Sequence, residues 1–531
     1  MGLRGPCASR QCLWEPAPVG GEAAVAEAGK PPQRRLLIRP KEAVQWALYY
    51  PPLIDLRRYV AITGPENEAL QSAIALFQAN DIPAALTRLN SVSARSRDAR
   101  YFVLRAALLL SVGRVDQALP DIDRALASDA KEGSAYALRA IIAIVRNEND
   151  KALKLAQKAS ALAPQSSIPQ IALSYAYQVL FDMHKALEHA KKAVDLNPQD
   201  ALGWARLAEL QLSVAELDSA LAATRKAAQL DPSLERTQSV LGYAHLVQVD
   251  IDAARAAFEK AIELDSSAPL AYLGLGLAQI RDGKLDAGTR QSEVAAVLDP
   301  ENSLIRSYLG KAYYEQKRIK LAATEYARAK ALDPKDPTPW FYDAILKQTT
   351  NRPVEALGDL QKAIVLNDNS AVYRSRLLLD QDQAARSAAL GRIYKDLGFE
   401  QRALLEAWRS ANVDPGNYSA HRLLADSYSA LRRHEIARVS ELLQSQLLQP
   451  LNITPIQPRL AESDLFLLEG SGPAELAFNE FNPLFTRNRF ALQASGAFGS
   501  NSTLGDEIVQ SGLWNRFSYS LGQFHFETVC F

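Results

Sequence analysis

The chain has 531 residues, 48% of them hydrophobic and 23% charged, and its 60 Lys and Arg balance 60 Asp and Glu. That length holds several domains or one long array, and the composition is ordinary for a folded chain. A balanced charge argues against a dedicated nucleic-acid binder, which needs a basic excess, and no apolar run approaches the ~20 residues of a membrane helix.

In chain order, residues 1–19 read as an irregular leader. They lack the apolar centre of a signal peptide, and Pro6 breaks the myristoylation pattern. Cys7, Cys12 and Cys530 are the three cysteines. Cys7 and Cys12 could pair or bind a metal, but no second Cys/His pair with zinc spacing accompanies them, so no metal site is expected. Residues 20–64 contain two β-compatible runs, RRLLIRP (34–40) and VQWALYY (44–50), each followed by proline. They read as the remnant of a small β domain with its linker, or as a linker that docks Trp46 and Tyr49 on the structure that follows.

From residue 65 to 450 the sequence repeats with a period of 34. Pro164, Pro198, Pro232, Ser266, Pro300 and Pro334 hold one phase. A small residue holds a second, from Ala84 and Ala118 through Ala220 and Gly288 to Ala356. Ala125, Ala159, Ala193, Ala227, Ala261, Ala295, Ala329 and Ala363 hold a third. Each period predicts two helices of about a dozen residues, joined by a short turn and brought close by the small residues. The "LDP" and "LNP" prolines disfavour continuation of the second helix and are tolerated at a helix start. After residue 368 the phase slips through SRLLLDQDQAARS, then resumes with Leu390-Gly391, Tyr394, Ala403 and Pro415. A last unit carries Leu424, Tyr428 and Ala437.

These residues resemble the tetratricopeptide repeat (TPR) family. The resemblance rests on the aromatics Tyr136, Trp204, Tyr272 and Trp340, and on the pairs Leu241-Gly242, Leu275-Gly276 and Leu309-Gly310. Tyr177 and Tyr313 add to it. It implies an all-α fold: a right-handed α-solenoid of about eleven helical hairpins, here with short β-rich flanks at both ends. It also implies that the first helix of each hairpin lines a concave groove. Carried over position by position, the groove residues are Ile171, Tyr175, Tyr243, Leu273, Leu277, Ile280, Tyr314, Phe341 and Ile345, with Gln178, Glu209 and Lys311 among them. The Lys/Asn/Arg set by which some TPR proteins clamp a carboxylate is not found. An extended hydrophobic peptide or a segment of another chain is the expected ligand. The alternative is that many of these side chains pack between hairpins, as apolar stripes at helical spacing usually do.

Residues 451–488 form a Pro- and Phe-rich linker, opening with LNITPIQPRL after Pro450 and carrying Phe478, Phe481 and Phe485. Residues 489–531 alternate as strands do. Phe490, Leu492, Ala494 and Phe498 mark a first strand, EIVQSGLW (507–514) a second, and Phe517, Tyr519 and Leu521 a third. With AVQWALYYPP at the other end, the chain resembles bacterial envelope proteins in which a FecR-like domain and a TPR array precede an outer-membrane β-barrel. Three strands cannot close a barrel, which takes at least about eight. The chain is therefore expected to be a fragment; the rival is a small sheet packed on the last hairpin.

No chemistry is legible. His184 and His189 fall on different helix faces, HEIAR (434–438) lacks the second histidine of a zinc protease, and GLGLAQ (274–279) lies inside a repeat helix. The six histidines read as solvated or capping. No catalytic residue, cofactor or metal is expected. The expectation is a non-catalytic scaffold of the periplasm and outer membrane, whose groove takes a protein or peptide partner and whose strands associate with the outer membrane. The alternatives are a cytoplasmic TPR adaptor, or an accessory subunit of a polysaccharide-export or glycosyl-transfer system.

Overall fold

The computed structural model describes residues 68–448 and 487–527 with Ile54 and Tyr59, except 79–80, 94–96, 113, 147, 367–378, 429–430, 432, 501 and 516. The leader, nearly all of the FecR-like stretch with Cys7, Cys12, Trp46 and Tyr49, most of the linker, and Cys530 lie outside the described residues.

Twenty-two helices pair into eleven antiparallel hairpins among the described residues. They are α1 (Glu68–Gln78) with α2 (Ile82–Asn90), α3 (Ala99–Ser111) with α4 (Val115–Ser128), and α5 (Gly133–Val145) with α6 (Asn149–Leu162). Next come α7 (Ser167–Val179) with α8 (Met183–Leu196), α9 (Ala201–Ser213) with α10 (Leu217–Leu230), and α11 (Glu235–Val247) with α12 (Ile251–Leu264). Then α13 (Pro269–Arg281) pairs with α14 (Leu285–Leu298), α15 (Ser303–Glu315) with α16 (Ile319–Leu332), and α17 (Pro337–Thr349) with α18 (Pro353–Val365). The stack ends with α19 (Leu379–Asp396) and α20 (Glu400–Val413), then α21 (Tyr418–Tyr428) and α22 (Glu435–Leu448). The fold is the expected α-solenoid. Part of the phase slip lies in α19, which has 18 residues where α13 has 13.

The prolines act as the sequence predicts. A residue before proline is pushed out of the helical region, and Asp231 caps α10 in extended conformation, φ −146° and ψ 96°. Its carboxylate then accepts the Ser233 N–H at 3.0 Å, an Asx turn. Asp333, before Pro334, repeats the arrangement with Lys335, and Asp265 repeats it with Ser267 although Ser266 follows it, so the Asx turn forms without proline as well. Several first helices open on side-chain caps: Asp200 accepts from Leu202 N, Asn302 from Ile305 N and Asp336 from Thr338 N, each worth about 1 kcal/mol.

Within a hairpin the first helix closes on a left-handed residue. Phe181, Ala215, Val249, Lys317 and Asn351 have φ of 63°, 67°, 61°, 63° and 59°, and Gly283 holds the same place at 91°. The Asp182 N–H reaches back to Tyr177 O at 3.0 Å, and Asp250 N–H to His245 O at 3.0 Å, as in a Schellman motif.

The small residues do the packing assigned to them. Ala220, Ala227, Ala254 and Ala322 are fully buried at the hairpin crossings. Glycine serves where a ring fills the gap. Cβ atoms on Gly242 and Gly274 would lie 2.7 and 2.2 Å from ring carbons of Phe258, which sits between them. First helices are buried nearly all round, α13 from Ala271 to Ala278, whereas α10 buries only Ala220, Ala223, Thr224 and Ala227. Successive first helices pack on one another (α5 on α7, α9 on α11, α15 on α17), and no comparable packing joins successive second helices. The first helices therefore form the inner, concave layer.

β1 (Arg489–Gly499), β2 (Thr503–Trp514) and β3 (Phe517–Glu527) form one antiparallel sheet in the order β1-β2-β3. Phe490 faces Gly512, which faces Tyr519; Ala494 faces Ile508, and Gln510 faces Leu521. Partners across a pair share a face, so Phe490, Leu492, Phe498, Ile508, Trp514, Phe517 and Leu521 all project from one side. Asn515, at φ 52°, turns β2 into β3.

The left-handed methyl of Ala215 carries a penalty of about 1–2 kcal/mol. Ala215→Gly relieves it at an entropic cost of roughly 0.5–1 kcal/mol. It should raise the urea midpoint of unfolding, with a gain of up to about 1 kcal/mol, and Ala215→Val should lower it. An unchanged midpoint in both would show that this turn holds no strain.

Candidate functional site

Seven of the nine groove residues are buried. Ile171, Tyr175, Leu273, Leu277, Ile280, Phe341 and Ile345 are at most 3% exposed, while Tyr243 and Tyr314 are half-buried. Burial follows from the packing of first helix on first helix. The side chains that carry hydrogen bonds and charge along this layer are mostly others.

One cluster spans α7, α9 and α11. The Arg206 guanidinium lies 3.7 Å from the centre of the Tyr175 ring. It donates to Ser174 Oγ at 3.0 Å and to Gln178 Oε1 at 2.6 Å, and pairs with Glu209 at 3.2 Å. Glu209 also takes Arg236 at 2.6 Å. Burial works against the Arg236 charge, but Glu209, Tyr175 and Glu235 outweigh it and hold the guanidinium above its ordinary pKa. Tyr243 donates its hydroxyl to Leu270 O at 2.8 Å, and burial first, then Tyr308 and Glu235, raises its pKa.

A second cluster spans α15 to α19. Lys311 is fully buried, pairs with Glu315 and lies 4.9 Å from the Tyr314 ring centre. Lys330 and Lys347 share Asp343 and Asp359. Arg386, also fully buried, donates to Ala363 O at 2.8 Å and stands 5.3 Å from the Phe341 ring centre. The expected apolar lining is thus an alternation of rings and cations. Gln178, Glu209 and Lys311 were legible in it; Arg206, Arg236, Glu315 and Arg386 were missed. Part of the signal lies in the repeat, because Tyr175, Glu209, Tyr243, Leu277, Lys311 and Ile345 follow one another at one full period and mix rings, charges and aliphatic side chains.

Lys335, between α16 and α17, lies 5.8 Å from the Phe181 ring centre in the α7–α8 turn. The solenoid coils far enough to bring these distant turns together.

His421 and His189 differ from the solvated or capping role expected of the histidines, whereas His184 and His525 are exposed. His421 is buried, with Glu441 on Nδ1 at 2.5 Å and Pro415 O on Nε2 at 2.8 Å. His189 meets Gln170 at 2.8 Å and stacks on Tyr177, and burial lowers its pKa. Each fixes the packing of a hairpin. Among the described residues no three His, Cys, Asp or Glu side chains gather as a metal site, and no helix is long and apolar enough to cross a membrane.

A stack of helical hairpins with its first helices in one inner layer defines a repeat solenoid. The tetratricopeptide repeat family model matches residues 103–167, 240–288 and 291–337, and over those residues the chain carries tetratricopeptide repeats. Such repeats generally act as protein-interaction scaffolds. No curated protein matches the sequence. Among solved structures, the chain is similar to one in the APC/C hetero-tetramer Cut9–Hcn1, at 16% identity, covering 74% of this chain and 89% of that one, TM-score 0.45. It is similar to TTC0263, a thermophilic TPR protein of Thermus thermophilus, at 21% identity, covering 37% and 100%, TM-score 0.32. It is also similar to human IFIT1, seen as a dimer with m7Gppp-AAAA, at 13% identity, covering 75% and 92%, TM-score 0.44.

Glu209 pairs with both Arg206 and Arg236. Glu209→Ala should cost roughly 1.5–3 kcal/mol, measured by urea unfolding, and Glu209→Gln, which keeps an acceptor, should cost less. Equal, negligible losses would show that the cluster contributes nothing to holding α9 on α11.

Proposed function

We propose that this protein is a non-catalytic scaffold of the bacterial cell envelope. Its solenoid takes a protein or peptide partner, or an exported chain, along the first helices, from the periplasm. Its C-terminal sheet associates with the outer membrane. The observation that carries the membrane part is the set of large apolar side chains exposed on one face of that sheet, a face that also carries Asp506, Gln510, Gln523, His525 and Glu527. Phe490, Leu492, Phe498, Phe517 and Leu521 are 64%, 71%, 86%, 67% and 66% exposed. A lone sheet gains nothing from presenting such a face to water. Strands of about ten residues, apolar on one side and polar on the other, are what a β-barrel in lipid uses. Support for the scaffold part comes from the repeats and from the ring-and-cation inner layer, which suits an extended peptide with mixed apolar and charged side chains.

Fractionation of the native host with an antibody to the solenoid tests this. The protein should sediment with the outer membrane, resist extraction by high salt, and be cleaved by protease only after the outer membrane is permeabilised. Recovery in the cytoplasmic fraction would replace this reading with that of a cytoplasmic adaptor.

A further inference from the structure

The start of the C-terminal sheet is seated on the solenoid. Asn488 donates its backbone N–H to Arg281 O, at the end of α13, at 3.1 Å. Its side chain grips the β2–β3 turn: Oδ1 accepts the Asn515 N–H at 2.8 Å, and Nδ2 donates to Asn515 Oδ1 at 3.1 Å. Arg487 pairs with Glu315, at the end of α15, at 3.2 Å. Glu315 also holds Lys311, so Arg487 joins the inner-layer cluster that includes Tyr314. Asn488 is 9% exposed, and the Arg487 and Glu315 side chains 19% and 20%.

Three features mark this as a built cradle. Arg281 and Glu315 are one period apart, the same place in consecutive hairpins, so two repeats present equivalent positions to one short segment. At the left-handed turn position, Phe181, Ala215, Val249, Lys317 and Asn351 carry side chains, but Gly283 does not. A Cβ there would stand 2.7 Å from the Asn488 carbonyl oxygen. Glu315 is held as the carboxylate: burial pushes its pKa up, but Lys311, Arg487 and Lys317 together bring it below the ordinary range.

We propose that Arg487–Arg489 is an internal ligand of the concave face. It fills a cradle formed by the Arg281 carbonyl, the open side of Gly283, and the Lys311–Glu315 pair. The cradle fits an extended segment bearing an arginine followed by a hydrogen-bonding backbone N–H. A partner segment of that chemistry competes with the chain's own, so the seating of the sheet and the occupancy of this stretch of the concave face are mutually exclusive. The inference rests on the concave face being a binding surface, and not on where the protein works.

A tethered ligand acts at an effective concentration on the order of millimolar, enough to mask a cradle of micromolar affinity. The probe is a fluorescein-labelled peptide of residues 484–494, LFTRNRFALQA, titrated into the full chain and followed by anisotropy. The chain with Arg487→Ala and Asn488→Ala should bind it at least about tenfold more tightly than the wild type. Adding Glu315→Gln to that variant should abolish the gain. Equal affinity in wild type and double variant, or no binding to a double variant of unchanged helical ellipticity, would overturn the proposal. Hydrogen exchange on the wild type decides the matter if the variant misfolds. A protected Asn488 amide supports the seating, and exchange at the rate of an open chain refutes it. Failure here, with the protein found in the outer membrane, would remove the internal ligand and leave the scaffold reading in place.

Discussion

The structure depends on how closely two helices of one hairpin approach. At each crossing the second helix presents a small residue such as Ala220, Ala254 or Ala322, with no side chain to hold its neighbour away. Where the first helix carries glycine, as at Gly242 and Gly310, an aromatic ring of its own second helix fills the gap, Phe258 and Tyr326 respectively. Interiors tolerate neither voids nor overlap, so this contact fixes the hairpin. Repeated once per period, it fixes the stack. The curvature follows: among the described residues, first helices such as α5, α9 and α15 pack on the next first helix, and no comparable packing joins successive second helices, so first-helix side chains share one inner layer.

That dependence decides what was legible. The fold was written in the periodicity of small residues and of Asp-Pro and Asn-Pro pairs, because those positions admit few substitutes and recur. The strands were legible because alternation at Phe490, Leu492 and Ala494 has no helical reading. The site was only partly legible. Ile171, Leu273 and Leu277 look like groove residues by position, yet neighbouring first helices bury them. Whether an apolar side chain at that phase faces a groove or the next hairpin is set by superhelical packing, which a single repeat does not encode. The cations over the rings were missed for a similar reason: Arg206 reaches Tyr175 and Gln178 across two hairpins, and only the coiled stack brings them together. The left-handed turn was missed too, although Gly283, Asn351 and Gly113 share its phase.

Inner layer and sheet meet at Asn488. One residue bonds the end of α13 with its backbone and the β2–β3 turn with its side chain, so the sheet's seating is coupled to the first-helix layer. On the proposed function, that layer and the exposed apolar side chains of the sheet are two separate recognition surfaces, one for an extended peptide and one for hydrocarbon, joined by a single short segment.

The central claim is that partners are read by the first helices. It is tested most directly by a photo-crosslinking amino acid placed at Tyr243, in the inner layer, and separately at Val297 and Val354, which project from second helices and are 80% and 69% exposed. In the native host, the account predicts a discrete crosslinked species from position 243 and none from 297 or 354. Crosslinks from the second-helix positions with none from 243 would contradict it and place recognition on the outer face.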